Sequence, residues 1–156
     1  MSTRGYAAAS ALLALYIGGV AIYAGRHPSH ATLVAHGSQL YAIHCASCHG
    51  VRLEGQPEWR RAGADGRLPA PPHDESGHTW HHPDHYLIHV VEQGLVPGVD
   101  RPPDYQSNMP AFGKTLSHED VIAILSFIKS RWSYDYRAWQ ERANTAVPTG
   151  EPKDTR

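Results

Sequence analysis

The sequence predicts an all-α protein of three to four helices, tethered by one N-terminal transmembrane helix. Three observations carry that expectation. Apolar residues recur at three- and four-residue steps over 31–44, over 83–93 and over the stretch opened by Ser117. The first of these helices runs directly into Cys45-Ala46-Ser47-Cys48-His49, and no βαβ pattern surrounds that motif. The 21 residues from Gly5 to Gly25, between Arg4 and Arg26, carry no charge.

The chain has 156 residues, enough for one domain of roughly 100 residues plus appendages. Its formal charge of −1 gives no electrostatic case for nucleic acid. With 12 Pro, 14 Gly and only 2 Phe, the domain reads as loop-rich with a limited core. No repeat is visible at solenoid or propeller periods. The C-x-x-C-H motif is the attachment signature of a c-type haem. Two thiols one helical turn apart reach the two vinyl groups of a porphyrin edge, and the following His comes under the iron. Cys45 and Cys48 are the only cysteines, so none remains for a disulfide elsewhere or a nucleophile. A thioredoxin-like redox pair would need a βαβ setting, and a zinc site would have to be completed from among the 12 histidines. A bound apolar macrocycle also supplies the core that the composition lacks.

At about 1.5 Å per residue, 5–25 spans roughly 30 Å as a helix, the thickness of a bilayer core. Tyr6 and Tyr23 sit at its two ends, where interfacial aromatics are expected. Residues 1–26 are read as a membrane anchor, or an uncleaved signal; Gly19-Val20-Ala21 offers a small-x-small site for the competing reading of a cleaved signal peptide. Residues 27–31 are a linker with Pro28 and Ser29 as breakers. Thr32 is placed to cap the 31–44 helix, whose face is Leu33, Gly37, Leu40, Tyr41 and His44. A glycine inside a helix costs about 1 kcal/mol against alanine, so Gly37 points to close approach by another helix.

Gly37-x-x-Leu40-Tyr41-x-x-x-Cys45-x-x-Cys48-His49-Gly50 resembles the opening of a class I mono-haem cytochrome c, of the membrane-anchored bacterial type. Asn108-Met109-Pro110-Ala111-Phe112 resembles that family's sixth-ligand loop, and Leu116-Ser117-x-Glu119-Asp120-Val121-x-x-x-Leu125-x-Phe127-Ile128 resembles its C-terminal helix. The resemblance covers about 31–131. It implies a cytochrome c fold over 32–131, three to four helices around one covalently bound haem c. Cys45 and Cys48 are then the anchors, His49 and Met109 the axial iron ligands. The carbonyl of Pro71 or Pro72 would accept a hydrogen bond from the other nitrogen of His49, fixing its tautomer. After Met1, Met109 is the only methionine; it lies 60 residues after His49 and is stiffened by Pro110. A thioether opposite His raises the potential and leaves no open site on iron. One of the histidines near 81–85 is the runner-up for that position.

Between the motifs, Leu53 to Trp59 form a loop, with Trp59 covering a haem edge or filling core. Arg60, Arg61 and Arg67 read as solvated, with one of them a candidate partner for a haem propionate. Leu68-Pro69-Ala70-Pro71-Pro72 must run extended, and His73 to Gly77 make a polar turn. Trp80 is assigned an indole N–H directed at a propionate. In the 83–93 helix, Pro83 suits the first turn, Leu87, Ile88 and Val91 form the apolar face, and Gly94 is the stop. His78, His81, His82, His85 and His89 are read as polar surface, since no carboxylate or Cys set completes a metal site, although His85 and His89 share a helix face. Residues 94–106 form a Pro- and Gly-rich loop. Ser117 and Asp120 make a capping box, followed by a buried face of Val121, Ile124, Leu125, Phe127 and Ile128; the resemblance implies that Phe127 or Leu125 packs across Gly37. Lys129 and Arg131 suit the negative end of that helix. Residues 132–146 form an aromatic extension, read as packed on its own domain, with a docking surface for a partner as the alternative, and 147–156 a disordered tail.

The function so read is one-electron transfer at the outer face of the cytoplasmic membrane, with a single-pass anchor, the haem domain in the periplasm, and redox proteins as donor and acceptor. The alternatives are a haem subunit of a larger membrane oxidoreductase, or a haem enzyme or sensor whose sixth ligand exchanges. An iron saturated by His and Met does no bond chemistry, so no catalytic residue is assigned.

Overall fold

The computed structural model describes residues 12–20, 28–96 and 101–146. Its regular structure is helical, with no strand among the described residues. The chain divides into two compact units, Met1–Leu33 and Val34–Arg156. Helix α1 covers 12–20, and its large apolar side chains, Leu12 to Val20, are exposed. No helix among the described residues is long and apolar enough to cross a membrane. The span expected over 5–25 lies mostly outside the described residues, as do the expected 147–156 tail and the Pro97-Gly98 part of the 94–106 loop.

Helix α2 is His30–His44. Its start is held by Ser29, whose hydroxyl accepts a hydrogen bond from the Thr32 amide at 3.2 Å. Ser29 therefore caps the helix and Thr32 lies in its first turn. The sequence alone had pointed to Thr32 as the cap and left Ser29 in the linker, because both residue types favour the cap. Helix α3, Ala46–His49, is a single turn continuing from α2. A short 3₁₀ turn, η1, covers Thr79–His81, and α4 is Asp84–Gln93. Helix α5 is His118–Ser130, with the expected Ser117–Asp120 capping box. Helix α6 is Tyr134–Thr145.

The core lies between α2, α5 and the loops that follow α3. Tyr41, Leu53, Val121, Ile124, Leu125, Ile128 and Trp132 are buried together. Helices α2 and α5 meet at Gly37, where an added Cβ would overlap the Ala123 carbonyl. The partner of Gly37 is thus the Ala123–Ile124 backbone, and not the Phe127 or Leu125 side chain; Phe127 sits one turn further on, its ring 5.4 Å from that of Tyr41. A backbone-to-backbone contact explains why glycine occupies a helix interior. Beside it, the His36 ring bonds the Asp120 carboxylate at 2.8 Å, and that bond, with those from Ser117, holds Asp120 below the usual carboxylate range.

Helix α4 opens differently from expectation. Pro83 is its N-cap residue, one position before the first turn, and offers no side-chain cap. The cap comes from α6: Asn144 Oδ1 accepts the Asp84 amide at 2.7 Å. The Asp84 carboxylate in turn takes Lys129 of α5 at 2.6 Å and Gln140 of α6 at 2.5 Å. Gln140 is buried, and the Trp80 ring lies against Tyr136 and Trp139 of α6 at 5.0 and 5.1 Å. The extension is therefore docked on its own domain, as expected, and Trp132, read as its first residue, belongs to the core.

Replacing Gly37 by alanine should destabilise Val34–Arg156 by about 1–3 kcal/mol, the usual cost of forcing atoms into a packed contact. Chemical denaturation read by far-UV circular dichroism measures it, and a change within error would contradict the close approach. Asn144→Ala should cost about 1 kcal/mol in the same assay, as lost N-caps do, despite alanine's better helix propensity.

Candidate haem-binding site

Helix α3 folds its amides back on Cys45. The amides of Cys48 and His49 both donate to the Cys45 carbonyl, at 3.1 and 2.9 Å. The two thiols, both free, therefore lie one turn apart on one side of the chain. Burial, followed by the neighbouring Cys48, pushes the Cys45 thiol up to about 11. At neutral pH it stays protonated, unlike the lowered thiolates of reactive C-x-x-C pairs.

His49 is buried, and its Nδ1 bonds the Pro71 carbonyl at 2.8 Å. Of the two prolines left open by the sequence, Pro71 holds this position; the Pro72 carbonyl instead stands over Gly77. With Nδ1 engaged, Nε2 is the nitrogen left for a metal. Burial lowers the affinity of His49 for a proton more than the Pro71 bond raises it, which favours the neutral imidazole that metals bind.

The extended 68–72 segment is brought under His49 by the loop after α3. The Gly55 amide donates to the His49 carbonyl at 2.8 Å, and Gly55 has φ of +69° with Pro71 and Pro72 packed against its Cα. Only glycine combines that dihedral with that contact. Leu53 also takes a positive φ, +71°, and is buried. Its carbonyl accepts the amides of His73 and Asp74 at 2.8 and 3.2 Å, clamping the segment that follows Pro72. Tyr41 donates its hydroxyl to the Gly50 carbonyl at 2.9 Å.

His73 has a structural role that the sequence reading missed when it placed it in a polar turn. Its ring stacks on His49, centroids 4.0 Å apart, and its Nδ1 bonds the Thr79 hydroxyl at 2.8 Å. Its carbonyl accepts the Trp132 indole N–H at 2.8 Å. Burial, then the charges of His49 and His78, drive its proton affinity well below that of an ordinary histidine. No spacing in the sequence signals this, because the partners are distant in the chain.

Trp80 is not free to address a propionate: its indole N–H donates to Gly77 at 3.2 Å, and its ring is engaged by α6. Trp59 neither joins the core nor stands alone. It stacks on His78 at 5.4 Å, with the Arg60 guanidinium 4.0 Å above its ring. Arg67 is also committed, donating to Asn108 at 2.7 Å and to Gln106 at 3.0 Å. Asn108 thus bonds a residue 41 positions earlier, and the local partner of the Met109 amide is the Ser107 hydroxyl, at 3.0 Å.

Met109 lines an open cleft of about 410 Å³ with Arg67, Tyr105 and Ser107; Cys45, Cys48 and His49 are not among its walls. The loop nonetheless comes to the motif. Phe112, three residues on, has its ring 6.1 Å from His44, the residue before Cys45. Leu40, Cys45, Leu87, Ile88, Val91 and Phe112 pack on the core while staying only partly buried, an apolar wall suited to a flat macrocycle.

The cytochrome c family model matches residues 34–132. The chain belongs to the cytochrome c family. No curated protein and no solved structure matches it. The family implies a covalently attached haem c and a haem-based electron carrier, and the donor set fits that group: two thiols one turn apart and an imidazole whose outer nitrogen is already bonded. In this cytochrome, the matched region ends at Trp132, so α6 lies beyond it.

Removing one thiol, in Cys45→Ala or Cys48→Ala, should leave at most one thioether, seen as a red-shifted pyridine haemochrome band. The double variant should lose haem on a denaturing gel. Haem retained on that gel by the double variant would contradict the attachment.

Proposed function

We propose that this cytochrome is a one-electron carrier with one haem c, axially held by His49 and Met109, at the outer face of a bacterial cytoplasmic membrane. The observation that carries the proposal is the His49–Pro71 bond behind the C-x-x-C-H motif. Cys45 and Cys48 anchor the group, and His49 presents Nε2 to it. When bound, the haem supplies a reversible ferric–ferrous couple. The chain's work is to hold that couple still and dry. Pro71 fixes the His49 tautomer and raises its basicity. Arg67, through Asn108, and the Ser107 hydroxyl brace the loop just before Met109, and the Phe112 and Gly113 amides tie it to α4 just after. The apolar wall of α4 and Phe112 limits water, which tunes the potential.

Met109 is the sixth ligand of this proposal, supported by its loop's approach to His44 and by the loss of other methionines as candidates. The uncharged stretch 5–25 anchors the chain as a single pass, with the haem domain in the periplasm. Donor and acceptor are redox proteins that dock by surfaces of mixed charge, so association weakens only modestly with salt.

The test is the ferric absorption spectrum of the haem-loaded full chain, native and Met109→Ala, with and without cyanide. The native protein should show a weak far-red charge-transfer band and bind cyanide slowly. Met109→Ala should lose the band, bind cyanide quickly and fall in potential by on the order of 0.1 V, a fraction of the ~0.8 V that axial ligands span. A native protein that is high-spin and binds cyanide at once would overturn the saturated-iron reading.

A further inference from the structure

We propose that His78, His81 and His82 form a second metal site, separate from the haem iron, that takes one zinc ion. The sequence reading treated this His-rich stretch as polar surface and singled out His85 and His89 as the pair with useful spacing. The structure brings together a different set. Turn η1 places His78, His81 and His82 at i, i+3 and i+4, so that all three rings fall on one side of the turn. Their ring nitrogens lie within 4.8 Å of one another.

The spacing suits a small tetrahedral ion. With zinc–nitrogen bonds of about 2.0–2.1 Å, two ligands of a tetrahedron stand about 3.3–3.4 Å apart. His78 Nδ1 and His82 Nε2 are already 3.2 Å apart, in a hydrogen bond between the rings. That edge is formed before any ion arrives. The third ligand, His81, is the exposed one, so it can close the remaining gap by side-chain rotation alone. Binding moves one proton between the two nitrogens of a single ring, turning a hydrogen-bond donor into a lone pair. Burial is the main reason that His78 and His82 stand below the ordinary histidine value, His82 at about 4, so these two rings need lose no proton to bind.

The surroundings set the ion and the strength. Three imidazoles without thiolate or carboxylate suit zinc and its neighbours in the first transition row, and not calcium or magnesium. Trp59 stacks on His78 and Tyr86 lies 4.9 Å from the His82 ring, which holds two of the three ligands in place. Arg101 lies close enough to depress both His78 and His82, and Arg60 adds to this at His78. Their charge opposes a dication and favours an anion in the fourth position. Arg101 adds a buried Nε with no hydrogen-bond partner among the described residues, a donor that such an anion could satisfy. The ion would also pin η1, and with it Trp80, beneath α6.

The experiment uses the haem-loaded full chain. Zinc chloride is titrated by isothermal calorimetry, bound zinc is counted by elemental analysis after gel filtration, and the haem spectrum is recorded alongside. The expected result is one zinc per chain besides the haem iron. His81→Ala, which alters only an exposed side chain, and His82→Gln should each weaken binding by more than about tenfold, since losing even an outer partner of a metal-bound histidine costs about 10–100-fold. His85→Ala should bind as the native protein does. Zinc below one-tenth of an equivalent, or binding unmoved by His81→Ala and His82→Gln, would overturn the proposal. So would a changed haem spectrum in zinc-free His82→Gln, which would assign the cluster to the haem instead.

Discussion

The hydrogen bond from His49 to the Pro71 carbonyl joins the two halves of the site, and much of the local architecture exists to make it. The turn of α3 supplies the imidazole. The carbonyl comes from an extended segment that cannot be helical, because prolines at 69, 71 and 72 lack amides and fix φ. Holding that segment against His49 takes Gly55 beneath it, the Leu53 carbonyl beyond it and the Trp132 indole on the His73 carbonyl. A single hydrogen bond contributes only about 0.5–1.5 kcal/mol net. Its larger effect is on orientation, since it selects which ring nitrogen faces the metal.

The C-terminal helix belongs to the same mechanical unit. Asp84 accepts from Lys129 and Gln140 through its carboxylate and gives its amide to Asn144, so one residue joins α4, α5 and α6. Partly exposed ion pairs are weak by themselves. Here the carboxylate is shared by a buried amide, and the α4 N-terminus would lack a cap without α6. Trp80, between Tyr136 and Trp139, extends the contact to η1. The segment following the matched region is thus part of the fold's wall.

What the sequence made legible was local. The C-x-x-C-H spacing, the helices with a clear apolar period, the Ser117–Asp120 box and the significance of Gly37 are all written within a few residues of one another. What it hid was the identity of partners across the chain. Gly37 signalled close approach, but nothing signalled that it met a backbone carbonyl. His73 read as turn polarity, since its stacking on His49 and its bond from Trp132 involve residues 24 and 59 positions away. Arg67 read as a solvated charge for the same reason. Trp80 was misjudged because an aromatic before a helix looks the same whether it faces a cofactor or another helix. Among the histidines, the i, i+4 rule was applied within α4, while the cluster formed in the irregular turn before it.

The loop carrying Met109 shows how an irregular segment is held without regular structure. On the near side, Arg67 donates to both Gln106 and Asn108. On the far side, the amides of Phe112 and Gly113 donate to the Val91 and Glu92 carbonyls at 2.9 Å each, which also occupies two of the last acceptors of α4. Between these ties only three residues remain, Met109, Pro110 and Ala111. Few conformations are open to so short a span, and each restriction lowers the entropy lost when its side chain is fixed. The same economy bears on electron transfer, because a ligand that moves little between oxidation states costs little reorganisation. Under the proposed ligation, Arg67, which touches neither thiol nor imidazole, is as much a part of the site as Pro71: one holds the chain beside Met109, the other holds the His49 ring.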